Sequence, residues 1–303
     1  MDVGKYVIVM PNGEVLESIG LKTTGNHYVD KYIGIIENNK LERDFGEIIS
    51  PSKKYNIQEQ VLQTIDKTLI EQNIEVLRVK TPSIFEIDDK LLKQQELFGL
   101  APFVVNEKFL LPPASDFGIF KMLENTTIDN ANANRFYEIA TCYRKEDSAK
   151  AFKRQFVFGL PDFHSIKYKN DIKSEILLFM NFNATVLRKL NIKFIISLRI
   201  TEDEYENQKD VILKLAKDYQ TPISVNILPS TIRYWTAKYK LLYMDSTNSF
   251  IQLSTVQVDY STCDLFSING GDTVIHSSPG SLERLIYAVF DNKNREVKVW
   301  EFQ

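Results

Sequence analysis

The chain has 303 residues and a formal net charge of −3 at pH 7. Its residues are 44% hydrophobic and 25% charged, which is the composition of an ordinary globular protein. This length accommodates one large domain and a small appendage, and the slightly acidic balance argues against a protein that coats nucleic acid nonspecifically. No apolar run is long enough to span a membrane, and two cysteines exclude a disulfide framework and a four-cysteine zinc site, so we expect a cytoplasmic protein.

The first 45 residues are predicted to form a small β-rich unit. Residues 5–17 (KYVIVMPNGEVLE) indicate a β-hairpin, because two apolar runs flank a Pro-Asn-Gly turn. Residues 32–37 (YIGIIE) predict another strand, and the polar segment 37–44 is typical of a linker. We therefore divide the chain into residues 1–45 and a main domain over 46–303.

The main domain begins with a predicted helix over residues 56–73. Its apolar side chains recur every fourth residue, at Ile57, Val61, Ile65 and Leu69. A strand at 76–80 then leads into a Thr-Pro pair. Further strands are predicted at 108–111, 137–143, 155–158, 193–200 and 222–227, and further helices at 171–190 and 202–219.

The last quarter of the chain predicts three successive strands and a closing helix. The strands cover residues 239–246, 250–261 and 263–268, with a turn at 245–249 between the first two, and the helix covers 281–290. Hairpin-rich runs with interspersed helices favour an α+β fold with a mainly antiparallel sheet flanked by helices.

Residues 136–164 (FYEIATCYRKEDSAKAFKRQFVFGLPDFH) carry the densest chemical pattern. Arg144 and Glu146 stand two apart at the end of a predicted strand, so they point to the same face. A short basic loop follows. After it come three residues at intervals of four: Arg154, Phe158 and Asp162.

A second pattern lies near the C-terminus, where Gly280 precedes the pair Glu283-Arg284 at the start of an apolar helix (GSLERLIYAVF). In this order, the two patterns resemble motifs 2 and 3 of class II aminoacyl-tRNA synthetases. The helix and strand over 56–80 are similar to motif 1 of the same class, which builds its dimer interface. The resemblance covers most of the chain, from about residue 45 to 290.

The resemblance implies activation of an amino acid with ATP and Mg²⁺. Attack of a carboxylate on the α-phosphate concentrates negative charge, which fixed cations must stabilise. Arg144 would hold the α-phosphate, and Arg284, at a helix N-terminus, would hold the γ-phosphate. Glu146 would accept a hydrogen bond from the adenine amino group, and Phe158 would stack on the purine. The remaining implied ATP-binding positions are Arg154, Gln252 and Thr255.

Within the class, the chain is most similar to threonyl-tRNA synthetases. The segments LSTVQVDYSTCDLFSI (253–268) and VIHSSPGSLERL (274–285) carry this likeness, together with the motif 2 line down to Asp162-x-His164. Threonine is therefore the leading candidate substrate. The implied amino-acid-binding positions are Asp116, Asp162, His164, Trp235, Gln257 and His276.

The metal site of that family is altered here. The family binds zinc with one cysteine and two histidines; His164 and His276 stand at the histidine positions, but Pro113 stands at the cysteine position. Either the histidines hydrogen-bond without a metal while Asp116 pairs with the substrate ammonium, or Asp116 becomes the third zinc ligand. The missing cysteine favours the first alternative. Leu160, where the family has a glutamine, makes the pocket less polar.

The implied partners follow from the same resemblance. Motif 1, within residues 45–82, implies a homodimer. Only residues 291–303 follow the predicted closing helix, which implies a core without an anticodon-binding domain, so a tRNA would be read at its acceptor stem or with a separate chain. A basic loop suited to RNA phosphates contains Lys145, Lys150, Lys153 and Arg154. Two alternatives stay open: an activating paralogue that charges a carrier protein or small molecule, and a catalytically silent regulatory paralogue.

Overall fold

The structure is a computed structural model that describes residues 5–17, 51–99, 101–129, 134–145, 152–231 and 233–300. Its strands are β1 (Lys5–Val9), β2 (Val15–Glu17), β3 (Leu77–Arg78), β4 (Phe85–Glu86), β5 (Phe103–Val105), β6 (Phe109–Leu111), β7 (Arg135–Tyr143), β8 (Val157–Lys167), β9 (Ile195–Thr201), β10 (Ile223–Leu228), β11 (Trp235–Met244), β12 (Phe250–Asp259) and β13 (Thr273–Ser278). Its helices are α1 (Pro51–Glu71), α2 (Asp89–Phe98), α3 (Asp116–Met122), α4 (Ile172–Lys189), α5 (Glu202–Tyr219), α6 (Thr262–Phe266) and α7 (Leu282–Trp300).

A ten-stranded sheet organises these elements, in the order β2-β1-β10-β9-β11-β12-β13-β8-β7-β3. Its neighbours are antiparallel except for the pairs β10–β9 and β3–β7, which are parallel. Strands β4, β6 and β5 form a separate antiparallel sheet. The predicted α+β fold with a mainly antiparallel sheet flanked by helices is confirmed.

Helices α1, α4, α5 and α7 cover one face of the large sheet, and α2, α3 and α6 pack on part of the other. The predicted stripe of α1 is buried and packs with α4 and α7 in the main core. From the sheet, this core takes alternate residues such as Leu198, Tyr239, Val256 and Phe163. Because side chains alternate along a strand, the residues between them project to the other face, where the cleft described below lies.

The N-terminal hairpin forms as predicted, with Gly13 at a φ of 92° in the turn between β1 and β2. Strand β1 also pairs with β10, so the hairpin extends the large sheet. The predicted strand at 32–37, the linker at 37–44 and the boundary at 45 lie outside the described residues. The division of the chain at residue 45 therefore stays a prediction.

The strand predicted at 263–268 was wrong, because this segment begins with helix α6. The side chain of Asp259 accepts hydrogen bonds from the backbone N–H groups of Ser261 and Thr262, which caps the start of the helix. Ser267, at a φ of 56°, ends it. The closing helix also continues past residue 290 to Trp300. No helix in the described part of the chain has the length and apolar character to cross a membrane.

Candidate active site

A cleft of about 590 Å³ opens on the other face of the sheet, beside the helices α2, α3 and α6 that pack there. Most of the predicted site residues line it. They are Asp116, Arg144, Arg154, Phe158, Asp162, Trp235, Gln252, Thr255, Gln257, His276 and Arg284. His164 lies behind the cleft wall with no exposed surface, in contact with His276. Glu146 and Lys150 lie outside the described residues.

One row of cross-strand neighbours crosses the sheet under the cleft, and its three central members, Lys238, Gln257 and His276, line the cleft. Arg199 on β9 pairs with Lys238 on β11, which pairs with Gln257 on β12. Gln257 pairs with His276 on β13, and His276 with His164 on β8. Directly opposite residues project to the same face, so five strands each contribute one polar side chain to this row. The row is cationic at the β9–β11 end and carries the two histidines at the other.

Arg144 leaves the end of β7 between two aromatic rings. Its guanidinium carbon lies 4.8 Å from the ring centre of Phe158 and 5.5 Å from that of Phe98. Its Nε donates a 3.0 Å hydrogen bond to the carbonyl oxygen of Pro113. Pro113, the residue at which the resemblance predicts an altered metal site, thus holds a predicted catalytic arginine through its backbone.

Arg284 lies in the first turn of α7 and reaches two other elements. Its Nε donates to the carbonyl oxygen of Lys153 at 2.8 Å, and its Nη1 to that of Gln252 at 3.0 Å. Lys153 is fixed in turn, because its Nζ lies 2.5 Å from the carboxylate of buried Asp245. The guanidinium therefore has a defined orientation at the cleft wall.

Strand β8, which carries Phe158, packs against helix α7. The backbone N–H of Gly159 donates to the carboxylate of Glu283 at 3.1 Å. A Cβ at position 159 would lie 2.7 Å from a methyl group of Leu282, so a larger residue here would make the Leu282 side chain shift. This contact connects the strand that carries Phe158 to the helix that carries Arg284.

A buried polar cluster closes the other end of the cleft. The Oγ of Ser115 lies 2.7 Å from Asp162 Oδ2 and 2.7 Å from His164 Nε2. The Nδ1 atoms of His164 and His276 are 3.1 Å apart, and His276 Nδ1 is 3.3 Å from Asp116 Oδ2. Two acids and two histidines thus share one small, water-poor volume, next to helix α3, whose first residue is Asp116.

Burial and mutual charge shift the pKa values of this cluster. Burial alone would raise the pKa of Asp116, but the charge and the hydrogen bond of His276 lower it well below its ordinary value. Burial and the charge of Asp116 raise the pKa of Asp162 above its ordinary range. Burial lowers the pKa of His164 to about 3. For His276, burial is outweighed by Asp116 and Asp259, which raise its pKa to about 10.

Asp116, His164 and His276 are also the group of described residues whose ligand atoms converge enough to hold a metal ion, all within 4.8 Å of one another. Ligands about 2.0–2.1 Å from a tetrahedral zinc ion lie about 3.3 Å from each other. The 3.1 Å and 3.3 Å separations around His276 Nδ1 match that requirement. The donor set of two imidazoles and one carboxylate therefore fits zinc.

Sequence reasoning missed several residues of the cleft. Tyr234 stacks on Phe98 with ring centres 5.8 Å apart, and its hydroxyl faces Gln257. Lys238 lines the cleft, and burial together with the charges of Lys240 and Arg144 lowers its pKa to about 7. Asp259 was also missed, although an Asp followed by Ser and Thr is a helix-start signal that could have revealed it.

Solved structures of other proteins have a similar fold. Threonyl-tRNA synthetase from Cryptosporidium parvum, solved as an RNA-binding domain, superposes with a TM-score of 0.61 at 19% identity, covering 80% of this chain and 65% of that one. Seryl-tRNA synthetase from Pyrococcus horikoshii, solved with ATP, gives a TM-score of 0.61 at 12% identity over 90% of this chain and 60% of that one. The fold is that of a class II aminoacyl-tRNA synthetase catalytic core.

Curated sequence relatives agree with this synthetase fold. The threonine–tRNA ligase of Thermococcus kodakarensis is 24% identical over 331 aligned residues, covering 95% of this chain and 53% of the relative. That of Methanoregula boonei is 28% identical over 234 residues, covering 71% of this chain and 38% of the relative. The chain thus spans about half the length of the curated relatives it matches, or less. No protein-family model matches the chain.

Proposed function

We propose that this chain activates an amino acid with ATP, forming an aminoacyl-adenylate and pyrophosphate, and then transfers the aminoacyl group to tRNA. Threonine is the leading amino acid, because the curated relatives are threonine–tRNA ligases. The supporting observation is that Arg144, Phe158 and Arg284, from three separate elements, line one cleft together with Asp116. Cations and an aromatic ring occupy one part of this cleft, and a carboxylate occupies another.

The proposed chemistry needs no covalent enzyme intermediate. A carboxylate oxygen of the amino acid attacks the α-phosphorus of ATP, and the bond to the β-phosphate oxygen breaks as pyrophosphate leaves. Arg144 stabilises the extra negative charge on the α-phosphate, and Arg284 binds the γ-phosphate. Mg²⁺ enters with ATP as part of the substrate. Both guanidinium groups are held by backbone carbonyl oxygens, so little reorganisation precedes the reaction.

Phe158 and residues around it form the proposed ATP subsite. The ring of Phe158 would stack on adenine, while Glu146 would accept from its amino group. The Gly159–Glu283 contact supports this assignment, because it fixes the Phe158 backbone against the helix that carries Arg284. The remaining proposed contacts with ATP come from Arg154, Gln252 and Thr255.

The amino-acid subsite is proposed at the acidic end of the cleft. Ionised Asp116 would pair with the substrate ammonium, and Asp162, Trp235 and Gln257 would shape the space for the side chain. In the alternative arrangement, Asp116 would instead join His164 and His276 in holding a zinc ion, which would act as a Lewis acid toward amino and hydroxyl groups of the substrate. The protein residues orient the carboxylate of the amino acid toward Arg144 in either case.

A homodimer is proposed through α1 and β3, the part of 45–82 that the structure describes. Strand β3 lies at the edge of the large sheet. On this strand the side chain of Leu77 is 48% exposed. Edge strands of this kind favour pairing with a second copy. Sedimentation of the purified chain, with Leu77→Glu as the disrupting variant, would test it.

The proposed activity is tested by ATP–pyrophosphate exchange with each of the twenty amino acids, with and without added zinc. Exchange that depends on one amino acid and is lost in Arg284→Ala would support the proposal and name the substrate. Folded protein that shows no exchange with any amino acid would contradict it. Aminoacylation of total tRNA, measured with the activated amino acid, then separates transfer to tRNA from activation alone.

A further inference from the structure

Asp259 ends strand β12 with a side chain that has no exposed surface. Its Oδ1 accepts hydrogen bonds from the backbone N–H and the hydroxyl of Ser261, both at 2.6 Å, and from the N–H of Thr262 at 3.2 Å. Its Oδ2 accepts from the hydroxyl of Thr262 at 2.5 Å. These bonds begin helix α6, and they leave the carboxylate with one orientation.

The same Oδ2 lies 3.3 Å from Nε2 of His276. A carboxylate only accepts hydrogen bonds, so Nε2 must carry the proton in this contact. The other ring nitrogen, Nδ1, then points toward His164 Nδ1 at 3.1 Å and Asp116 Oδ2 at 3.3 Å. The carboxylate of Asp259 thus determines that Nδ1 of His276, rather than Nε2, faces His164 and Asp116.

His164 has a matching arrangement on the opposite side of the cluster. Its Nε2 lies 2.7 Å from the Oγ of Ser115, whose single proton is also within reach of Asp162 Oδ2 at 2.7 Å. When that proton goes to Asp162, Nε2 of His164 is the donor to Ser115. When a metal ion takes the place of the proton in the 3.1 Å Nδ1–Nδ1 contact, both imidazoles can direct an Nδ1 lone pair to one point.

We propose that Asp259 is a positioning residue: it accepts from the Nε2–H of His276 and fixes the ring, so that Nδ1 is the nitrogen that joins His164 and Asp116 in binding a zinc-type divalent ion. This inference rests on the proposed amino-acid site and adds the residue that prepares it. Hydrogen bonds from ligating histidines to carboxylates contribute strongly to metal affinity in proteins, and their loss weakens binding about 10- to 100-fold.

The variant Asp259→Asn separates this role from helix capping. Two backbone N–H groups face the Oδ1 position, so the amide oxygen must take that place and the cap is retained. The amide NH₂ then occupies the Oδ2 position and donates to Nε2 of His276. The ring must change tautomer and place a proton on Nδ1, where it blocks coordination. The matched control Thr262→Val removes one bond to Oδ2 and leaves the carboxylate.

The test uses the full chain with ¹⁵N-labelled histidine, which gives three ring systems because the sequence has three histidines. Long-range ¹H–¹⁵N spectra of the metal-free protein report which ring nitrogens carry protons, and His276→Gln assigns the relevant ring. We expect a protonated Nε2 in the parent and in Thr262→Val, and an unprotonated Nε2 in Asp259→Asn. Zn²⁺ affinity by chelator competition, and the Co²⁺ absorption spectrum, should weaken about 10- to 100-fold in Asp259→Asn alone.

Three results would overturn the proposal. One is the parent tautomer and parent metal affinity in Asp259→Asn, which would leave Asp259 as a helix cap only. A second is an unprotonated Nε2 in the parent itself, a result that requires no variant and decides the matter even when Asp259→Asn does not fold. The third is a parent that binds neither Zn²⁺ nor Co²⁺. Failure of amino-acid activation is separate, because none of these measurements depends on turnover.

Discussion

The guanidinium of Arg284 is bonded to the backbone carbonyl of Lys153, 131 positions away in the chain. Through this 2.8 Å hydrogen bond, and a 3.0 Å bond to the carbonyl of Gln252, helix α7 is connected to two segments of the cleft wall. A planar guanidinium can satisfy both carbonyls and still face a phosphate, because it has five N–H donors in a fixed fork. An ammonium group has neither the reach nor this geometry.

Replacing Arg284 with lysine should therefore lower the ATP–pyrophosphate exchange rate by about 10²–10³-fold, the effect of losing one preorganised donor. Circular dichroism and the melting temperature should change little. Arg188→Lys is the matched control, because Arg188 is exposed on α4 and is absent from the cleft lining. Equal exchange rates in the two variants would contradict the role proposed for Arg284.

Asp116→Asn should separate the two subsites of the cleft. Loss of the carboxylate charge removes a charge-assisted hydrogen bond of about 1.5–3 kcal/mol to the substrate ammonium, so amino-acid affinity should fall roughly 10- to 100-fold. ATP affinity should stay within twofold, since Arg144, Phe158 and Arg284 are unchanged. Calorimetric titration with each ligand measures both. A parallel loss of ATP affinity would show that Asp116 supports the whole cleft, and Asp89→Asn, at an exposed helix start, serves as control.

Nucleotide binding should depend on pH through Lys238. The pKa of this group is lowered to about 7 by burial and by the charges of Lys240 and Arg144. Lys238 is charged below that pH and neutral above it, so apparent ATP affinity should weaken as pH rises from 6 to 8, by up to about tenfold from the protonated fraction alone. In Lys238→Met the titration of ATP itself remains, and the ratio of the two proteins isolates the lysine. A ratio that is constant across this range would refute the prediction.

The buried pair of Lys153 and Asp245 should contribute to stability in a pH-dependent way. Burial opposes ionisation of Asp245, but the hydrogen bonds from Lys153 and Thr247 lower its pKa below the ordinary value. A lowered carboxyl pKa contributes stability that is complete above the unfolded value of about 4 and is lost as pH falls through the folded value.

Asp245→Asn removes the buried charge that faces the ammonium of Lys153, so it should lower the free energy of unfolding by about 3–5 kcal/mol at pH 7. The difference from the parent should shrink below pH 4, where the parent loses the same charge. Urea denaturation at pH 7 and pH 3.5 measures this. Asp210→Asn, which breaks the exposed pair with Lys173, should cost no more than about 1 kcal/mol at either pH.

Local periodicity allowed much of the fold to be predicted. The four-residue spacing of Ile57, Val61, Ile65 and Leu69 specifies a buried helix face, and all four side chains are buried. Periodicity failed at 263–268, where an apolar-rich segment of mixed spacing fits either a strand or a short helix. There the hydrogen bonds of Asp259 decide the outcome, and a side-chain cap leaves no periodic signal in the sequence.

The pairing of strands that are far apart in the sequence could not be predicted in the same way. The sequence predicted the N-terminal hairpin, but nothing in its pattern names β10 as the strand that β1 joins. Likewise, the motifs brought Arg144 and Arg284 together by resemblance to a known family, whereas Lys238 and Tyr234 entered the cleft through sheet register. Register is set by the assembled sheet, so a residue's neighbours on adjacent strands are not readable from its own segment.

The row from Arg199 to His164 has a consequence for how this protein acquires activity as it folds. The imidazoles of His164 and His276 meet although they are 112 positions apart in the chain, and the row takes one side chain from each of five strands. Such non-local pairings close late and slowly. Binding competence should thus appear in the final cooperative step, and a ligand should protect the strands from hydrogen exchange together. A nascent chain that has not yet incorporated β13 would have neither the complete row nor Arg284, the arginine of α7 that is proposed to bind the γ-phosphate.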